Sequence, residues 1–272
     1  MNDIRLIFSD CDGTLINNKA RLTKRTIDAV KEVSKKDIPF TLISARSPEE
    51  MLPYYQKLGL DTPLIGYNGG IVADISQENG LVVLDSQPIH VNEPFKIYLE
   101  VKKHFPKISV QVYSDIYRFA DSEDDGVLLQ NKLTGIKGKI TDVERMIAKG
   151  APIHKIMMIG DSEEIPACEA FLKNNLELNS SIHQSGNNYL EVTNEQATKS
   201  NAIKKATKQI FATQPEHVMA IGDNYNDWEM LKYAAFGVVM GNAPQEIQNS
   251  LHYITTDNDH DGVAVALQKW VL

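Results

Sequence analysis

The stretch Ile4-Arg5-Leu6-Ile7-Phe8-Ser9-Asp10-Cys11-Asp12-Gly13-Thr14 carries the first strand of the chain and, at its end, a pair of acids two residues apart. An apolar run broken by Gly reads as a buried strand ending in a tight turn. Side chains two apart on a strand share a face, so the Asp10 and Asp12 carboxylates are expected to aim at one point. Two carboxylates there repel each other unless a cation or a shared proton intervenes. For this stretch alone, an Asx turn at a strand end is the plainer alternative, since Asp and Gly are ordinary turn residues. Cys11 points away from both acids and reads as a small buried residue rather than a nucleophile.

Outward from this stretch, strand and helix alternate. Lys24 to Lys36 has apolar residues at helical spacing, and Ile38 to Ile43 reads as a second strand. Ser47-Pro48-Glu49-Glu50 opens a helix, with Ser47 as cap and Glu50 completing a capping box. Pro63 to Tyr67 reads as a third strand. Short connections between such elements imply right-handed crossovers and a parallel sheet. From residue 83 the pattern changes. Strands at 108–113 and 116–120 form a hairpin, and further helices and strands follow, including Ile153–Ile159 and strands near 176–183 and 188–192. This reads as an inserted α+β domain of about 110 residues, an ordinary domain size. Alternation then returns, with a helix at Lys199–Phe211 and strands at His217–Ile221 and Phe236–Met240. The expected organisation is a core of 1–82 and 190–272 with a cap of 83–189.

Composition sets limits. The chain has 272 residues, 42% hydrophobic and 24% charged, as soluble globular proteins have. A net charge of -8 argues against a nucleic-acid partner. Two cysteines, Cys11 and Cys168, give no disulfide framework. No apolar stretch approaches the roughly 18 residues that span a bilayer. The chain begins without a signal-peptide pattern, so a cytoplasmic protein with no membrane contact is expected. A monomer or weak homo-oligomer is the expected state.

The returning core holds a second acidic string, Gly222-Asp223-Asn224-Tyr225-Asn226-Asp227, between a strand and a helix. Loops at the carboxyl ends of parallel strands converge on one crevice, which would bring Asp10, Asp12, Asp223 and Asp227 together. Four acids there require a cation, and carboxylate oxygens with water suit Mg²⁺. Ser44 follows the second strand and offers a hydroxyl; Lys199 starts the helix that re-enters the core and offers a positive charge. Taken singly, Ser44 is a turn residue and Lys199 a solvated helix residue. Together with the acids and Mg²⁺ they are the equipment of phosphoryl transfer.

On these residues the chain resembles the haloacid dehalogenase-like hydrolases, in particular their Cof-type IIB subclass. The matching strings are Asp10-Cys11-Asp12-Gly13-Thr14, Ser44-Ala45-Arg46, Lys199 and Gly222 to Asp227. Tyr67-Asn68-Gly69-Gly70, Met240-Gly241-Asn242-Ala243 and Asp261-Gly262-Val263 support them. The resemblance implies a Rossmann-like core with a mobile cap, acting as a Mg²⁺-dependent phosphatase on small phosphomonoesters such as sugar phosphates. It implies Asp10 as nucleophile through an aspartyl-phosphate, and Asp12 as general acid and then base. It implies Mg²⁺ on the Asp10 carboxylate, the Asp12 main-chain carbonyl and Asp223, with Asp227 supporting that shell. Ser44, Lys199, Asn226 and the main-chain N–H groups of Cys11 and Ala45 would hold the phosphoryl oxygens.

Two positions depart from the family's pattern. Ala45 stands where Gly is usual, and Ser200 follows Lys199 where Gly is usual. Ile159-Gly160-Asp161-Ser162 imitates the fourth string but lacks an acid four residues on, so Asp161-Ser162 is expected to cap a helix. The seven histidines show no metal-ligand spacing. Two other functions stay open on the sequence: a phosphotransferase or mutase acting on sugar phosphates, and a non-catalytic phosphate-ligand sensor. The presence of Asp12 speaks against the sensor, because binding alone does not need it.

Overall fold

A computed structural model describes residues 3–75 and 81–272. In chain order the elements are β1 (Leu6–Ser9), α1 (Lys24–Ser34), β2 (Phe40–Leu42), α2 (Pro48–Leu58), β3 (Leu64–Gly66), β4 (Ile71–Asp74) and β5 (Val82–Ser86). Then come α3 (Glu93–His104), β6 (Ser109–Ser114), β7 (Tyr117–Ala120), α4 (Asp125–Thr134), β8 (Lys139–Ile140), α5 (Val143–Ala148), β9 (Ile153–Ile159) and α6 (Glu164–Asn175). The chain continues through β10 (Ser180–Gly186), β11 (Tyr189–Asn194), α7 (Lys199–Gln209), β12 (Val218–Gly222) and α8 (Tyr225–Tyr233). It ends with β13 (Phe236–Val239), α9 (Gln245–Asn249), β14 (Tyr253–Ile254) and α10 (Gly262–Trp270).

These elements form two units. One contains Met1–Arg46, Met51–Leu84 and Thr198–Leu272; the other contains Ser47–Glu50 and Asp85–Ala197. The first holds a parallel sheet in the order β14-β13-β12-β1-β2. β1 is buried throughout, as a strand covered on both faces must be. Ile7 points into a cluster with Ala29, Val30 and Val33 of α1 and Val263, Ala264 and Leu267 of α10. Leu6 and Phe8 point the other way, onto Ala202, Ile203 and Ala206 of α7 and Met230 and Leu231 of α8. From β1 the chain builds outward to β2 on one side, and later to β12, β13 and β14 on the other. The order therefore reverses between β1 and β12, the position at which open parallel sheets bind ligands beyond their carboxyl ends.

The third strand is a departure from expectation. β3 touches the parallel sheet through a single bridge, Ile43 to Ile65, and pairs antiparallel with β4, in a small sheet ordered β3-β4-β5. The capping box at α2 forms: Glu50 N–H donates to Ser47 Oγ (3.2 Å) and Ser47 N–H to Glu50 Oε2 (3.0 Å).

The second unit is α+β, with a six-stranded sheet in the order β10-β11-β9-β6-β7-β8. Val110, Val112, Ile156, Met158, Leu190 and Val192 alternate onto one face and pack with α3, α5 and α6. The sequence reading returns to the core at 190, but β11 spans that position and pairs with both β9 and β10. The first unit resumes at Thr198. Asp161 serves α6 differently from expectation: its main-chain carbonyl accepts from the N–H groups of Glu164 and Ile165, and no side chain caps the helix. Among the described residues no helix is long and apolar enough to cross a membrane.

Candidate active site

Asp10 and Asp223 are the residues immediately after β1 and β12, so the reversal point of the sheet is acidic from both sides. The Asp10 N–H donates to the Ile221 carbonyl (2.9 Å), which carries the strand pairing up to the acids themselves. Asp227 lies in the first turn of α8, and its Oδ2 accepts from the N–H groups of Asp223 (3.0 Å) and Asn224 (3.1 Å). One carboxylate thus fixes the loop that presents another. Gly222 permits this, because a Cβ there would lie 2.6 Å from the Asp227 Cβ.

Lys199 enters from the first turn of α7, capped by Thr198. Its Nζ donates to Asp10 Oδ1 (2.5 Å) and Asp227 Oδ1 (2.6 Å), and all three side chains are closed to solvent. Gly69 allows the close approach: a Cβ there would stand 2.7 Å from the Thr198 carbonyl. Asp223 is held by Thr14, whose Oγ1 donates to Oδ1 (2.7 Å), and by Asn242, whose Nδ2 donates to Oδ2 (3.3 Å) and to the Gly13 carbonyl (2.9 Å).

Among the described residues, ligand oxygens of Asp10, Asp223 and Asp227 lie within 4.8 Å of one another. Burial pushes the Asp10 carboxyl well above the usual carboxylate range; Lys199 opposes this, and Asp227 and Asp223 reinforce it. Burial also raises Asp223, to about 6, against the Thr14 hydroxyl bond. Burial by itself would lower the Lys199 ammonium, but the Asp10 and Asp227 charges outweigh it and hold that group above its usual value. Three carboxylates against one ammonium leave two negative charges in a desolvated site. A divalent cation is the group that balances them, so the residues present fit one.

Asp12 overturns the expected geometry. β1 ends at Ser9, and the Cys11 carbonyl accepts from the N–H groups of Thr14, Leu15 and Ile16, so a turn replaces strand alternation before Asp12 is reached. The Asp12 side chain, 55% exposed, stands apart from the acid cluster and pairs with Arg46. Arg46 Nε donates to Oδ2 and Nη2 to Oδ1, both at 2.6 Å.

Ser44 is buried at the end of β2, with its Oγ accepting from the Arg46 N–H (3.2 Å). Ala45 lies between them. Asn226 is exposed and donates from Nδ2 to Asn68 Oδ1 (3.1 Å). Cys11 is buried among core residues, where burial raises its thiol above the usual range. Three residues quoted in motif strings received no role from sequence reasoning: Thr14, Asn242 and Arg46. Asn242 follows β13, another strand end on the same edge of the sheet, and that position was the available signal.

The haloacid dehalogenase-like hydrolase family model matches residues 7–267. The chain belongs to that family. A candidate phosphatase from Haemophilus influenzae is 34% identical to this hydrolase over 266 residues, covering 97% of each chain. A Bacillus subtilis 5-amino-6-(5-phospho-D-ribitylamino)uracil phosphatase is 28% identical over 270 residues, covering 99% of this hydrolase and 97% of its own length. The crystal structure of a haloacid dehalogenase-like hydrolase from Bacteroides thetaiotaomicron matches with a TM-score of 0.86 at 25% identity, over 98% of this chain and 99% of that one. Family and relatives together support an enzyme that hydrolyses phosphoric monoesters.

Proposed function

We propose that the protein is a Mg²⁺-dependent phosphatase that works through an aspartyl-phosphate, with small sugar or sugar-alcohol phosphates as substrates. The observation that carries the reading is the Lys199 ammonium clamped between Asp10 and Asp227 beside Asp223. That arrangement sets an ammonium against the burial that raises the Asp10 carboxyl, and holds that carboxyl in register at a site able to take a cation and an anionic ester. The phosphorylated ribityl compound named for the Bacillus subtilis relative supports the substrate class.

Asp10 attacks phosphorus with a carboxylate oxygen; the new bond is Asp10 O–P and the bond to the leaving oxygen breaks. Asp12, two residues on and open to solvent, gives its proton to that leaving oxygen. It then takes the proton of a water that attacks the acyl phosphate, and phosphate departs as the Asp10 carboxylate is restored. Lys199 stabilises the phosphoryl oxygens alongside Asp10, and Ser44, Asn226 and the N–H groups of Cys11 and Ala45 are the further donors. The Asp10 carboxylate, the Asp12 main-chain carbonyl and Asp223 would hold Mg²⁺, with Asp227 behind them. When bound there, a divalent cation would supply charge neutralisation for the incoming ester and polarisation of its phosphoryl group.

A panel of phosphomonoesters, assayed with Mg²⁺ and with EDTA, tests this. Turnover that needs the metal and disappears in Asp10→Asn is expected. Metal-independent turnover, or an unimpaired Asp10→Asn variant, sinks the mechanism. Transfer to added sugar in preference to water would make the enzyme a phosphotransferase.

A further inference from the structure

We infer that Arg46 is a positioning residue for Asp12: its guanidinium fork sets the direction from which the Asp12 carboxyl serves the leaving oxygen. The inference rests on the phosphatase reading above. Three observations carry it. Both fork contacts are 2.6 Å, using Nε and Nη2 on the two separate carboxylate oxygens, so the carboxylate is fixed in plane as well as in place. The guanidinium is the better buried partner, with 19% of its side chain exposed against 55% for Asp12. Arg46 is itself anchored: its N–H donates to Ser44 Oγ, its carbonyl accepts from the Tyr67 N–H (3.0 Å), and the Tyr54 ring lies 5.7 Å from its Cζ.

The consequence is steric and electrostatic. Asp12 sits in a turn, followed by Gly13 with φ +75°, and backbone alternation does not aim it. Among the described residues, the fork is the side-chain contact that holds its carboxylate away from Lys199 and the cation that Asp10 and Asp223 would bind. Without the fork, the carboxylate would become one more acid in the cluster and lose the leaving oxygen. A lysine would supply the charge but not the planar two-point contact.

The test separates proton delivery from binding. Kinetics are measured with glycerol 3-phosphate, whose alkoxide needs a proton to leave, and with p-nitrophenyl phosphate, whose phenolate needs little help. The enzymes are the wild type, Arg46→Met, Arg46→Lys, Asp12→Asn and the Arg46→Met/Asp12→Asn double variant. In Arg46→Met, kcat on glycerol 3-phosphate should fall on the order of 10- to 100-fold, while single-turnover release of p-nitrophenol, which precedes the step in which Asp12 acts as base, stays within about threefold of wild type. Arg46→Lys should recover only part of the loss. The double variant should be no slower than Asp12→Asn alone, because both changes remove one function. Additive losses, full recovery by Lys, or a rise in KM with kcat intact would overturn the inference and leave the phosphatase reading standing. Wild-type enzyme inert on every ester of the panel, or an Asp12→Asn variant as fast as wild type on glycerol 3-phosphate, would overturn both.

Discussion

The Lys199 Nζ lies 2.5 Å from Asp10 Oδ1, and neither side chain is appreciably exposed. A buried ion pair is costly to break from one side, because the partner is left charged and desolvated. Lys199→Met therefore strands Asp10 and Asp227 together. Urea unfolding in EDTA should show a loss of about 3–5 kcal/mol. Asp227→Asn added to Lys199→Met should return part of that stability, since one stranded charge is removed. A purely additive double variant would show that the lysine is not held by those charges. Turnover of phosphomonoesters should fall at least on the order of 100-fold in Lys199→Met, as for loss of a donor to the transition-state oxygens.

Gly13 gives a second handle. Its φ of +75° suits glycine, and a Cβ at this position would overlap the Asp223 carboxylate. Gly13→Ala should move that carboxylate and weaken the Thr14 and Asn242 bonds that orient it. The expected outcome is a folded protein with divalent-cation affinity reduced about 10- to 100-fold, as for loss of a partner that orients a metal ligand. Titration calorimetry with Mg²⁺ or Mn²⁺ reads this directly. Unchanged affinity would show that Asp223 is not a ligand.

The raised Asp223 carboxyl predicts how pH and metal combine. Its folded-state value, about 6, lies above the 3.8 of an ordinary aspartate, so the folded protein holds this proton more tightly than the unfolded chain does. In EDTA its contribution to stability is therefore complete below about pH 4 and is lost as pH rises through about 6. A cation competes with that proton. The increase in melting temperature on adding Mg²⁺ should be small at pH 5 and larger at pH 7.5. An equal increase at both pH values would remove Asp223 from the metal site.

The acids were legible in the sequence because topology alone places them. Asp10 and Asp223 each close an apolar run, and in a parallel sheet neighbouring runs end at the same edge. Lys199 was legible only through the helix it starts. Asp12 was read wrongly because period-two alternation holds only while the strand lasts, and β1 stops at Ser9, before either aspartate. Arg46, which decides where Asp12 goes, is 34 residues away, and nothing local announces that contact. The boundary expected at 190 falls inside β11, and the first unit resumes at Thr198, for a similar reason. Leu190 and Val192 show strand periodicity but not which sheet they join, and pairing with β9 decides it. β3 reads as one more parallel strand until β4, absent from the sequence reading, pairs with it.

Away from the acids, His154 makes acid sensitivity a property of the second unit. Its ring is fully buried on β9, with Nε2 2.9 Å from Ser86 Oγ and Nδ1 accepting the Asp115 N–H (3.2 Å). Burial lowers its pKa from 6.5 to about 4. An imidazole that accepts a main-chain N–H has no proton on that nitrogen, so protonation breaks the bond and buries a charge. The unfolded chain takes up this proton first, near pH 6.5, and the folded protein only near 4. Stability from this residue is therefore intact above about pH 6.5 and declines as pH falls toward 4, by about 3 kcal/mol at 1.36 kcal/mol per pKa unit. His154→Gln should be less stable than wild type at pH 7.5, and the gap should shrink steadily to pH 4.5, as followed by urea unfolding monitored through Tyr and Trp fluorescence. Parallel stability curves for the two proteins would show that the imidazole does not change its proton affinity on folding.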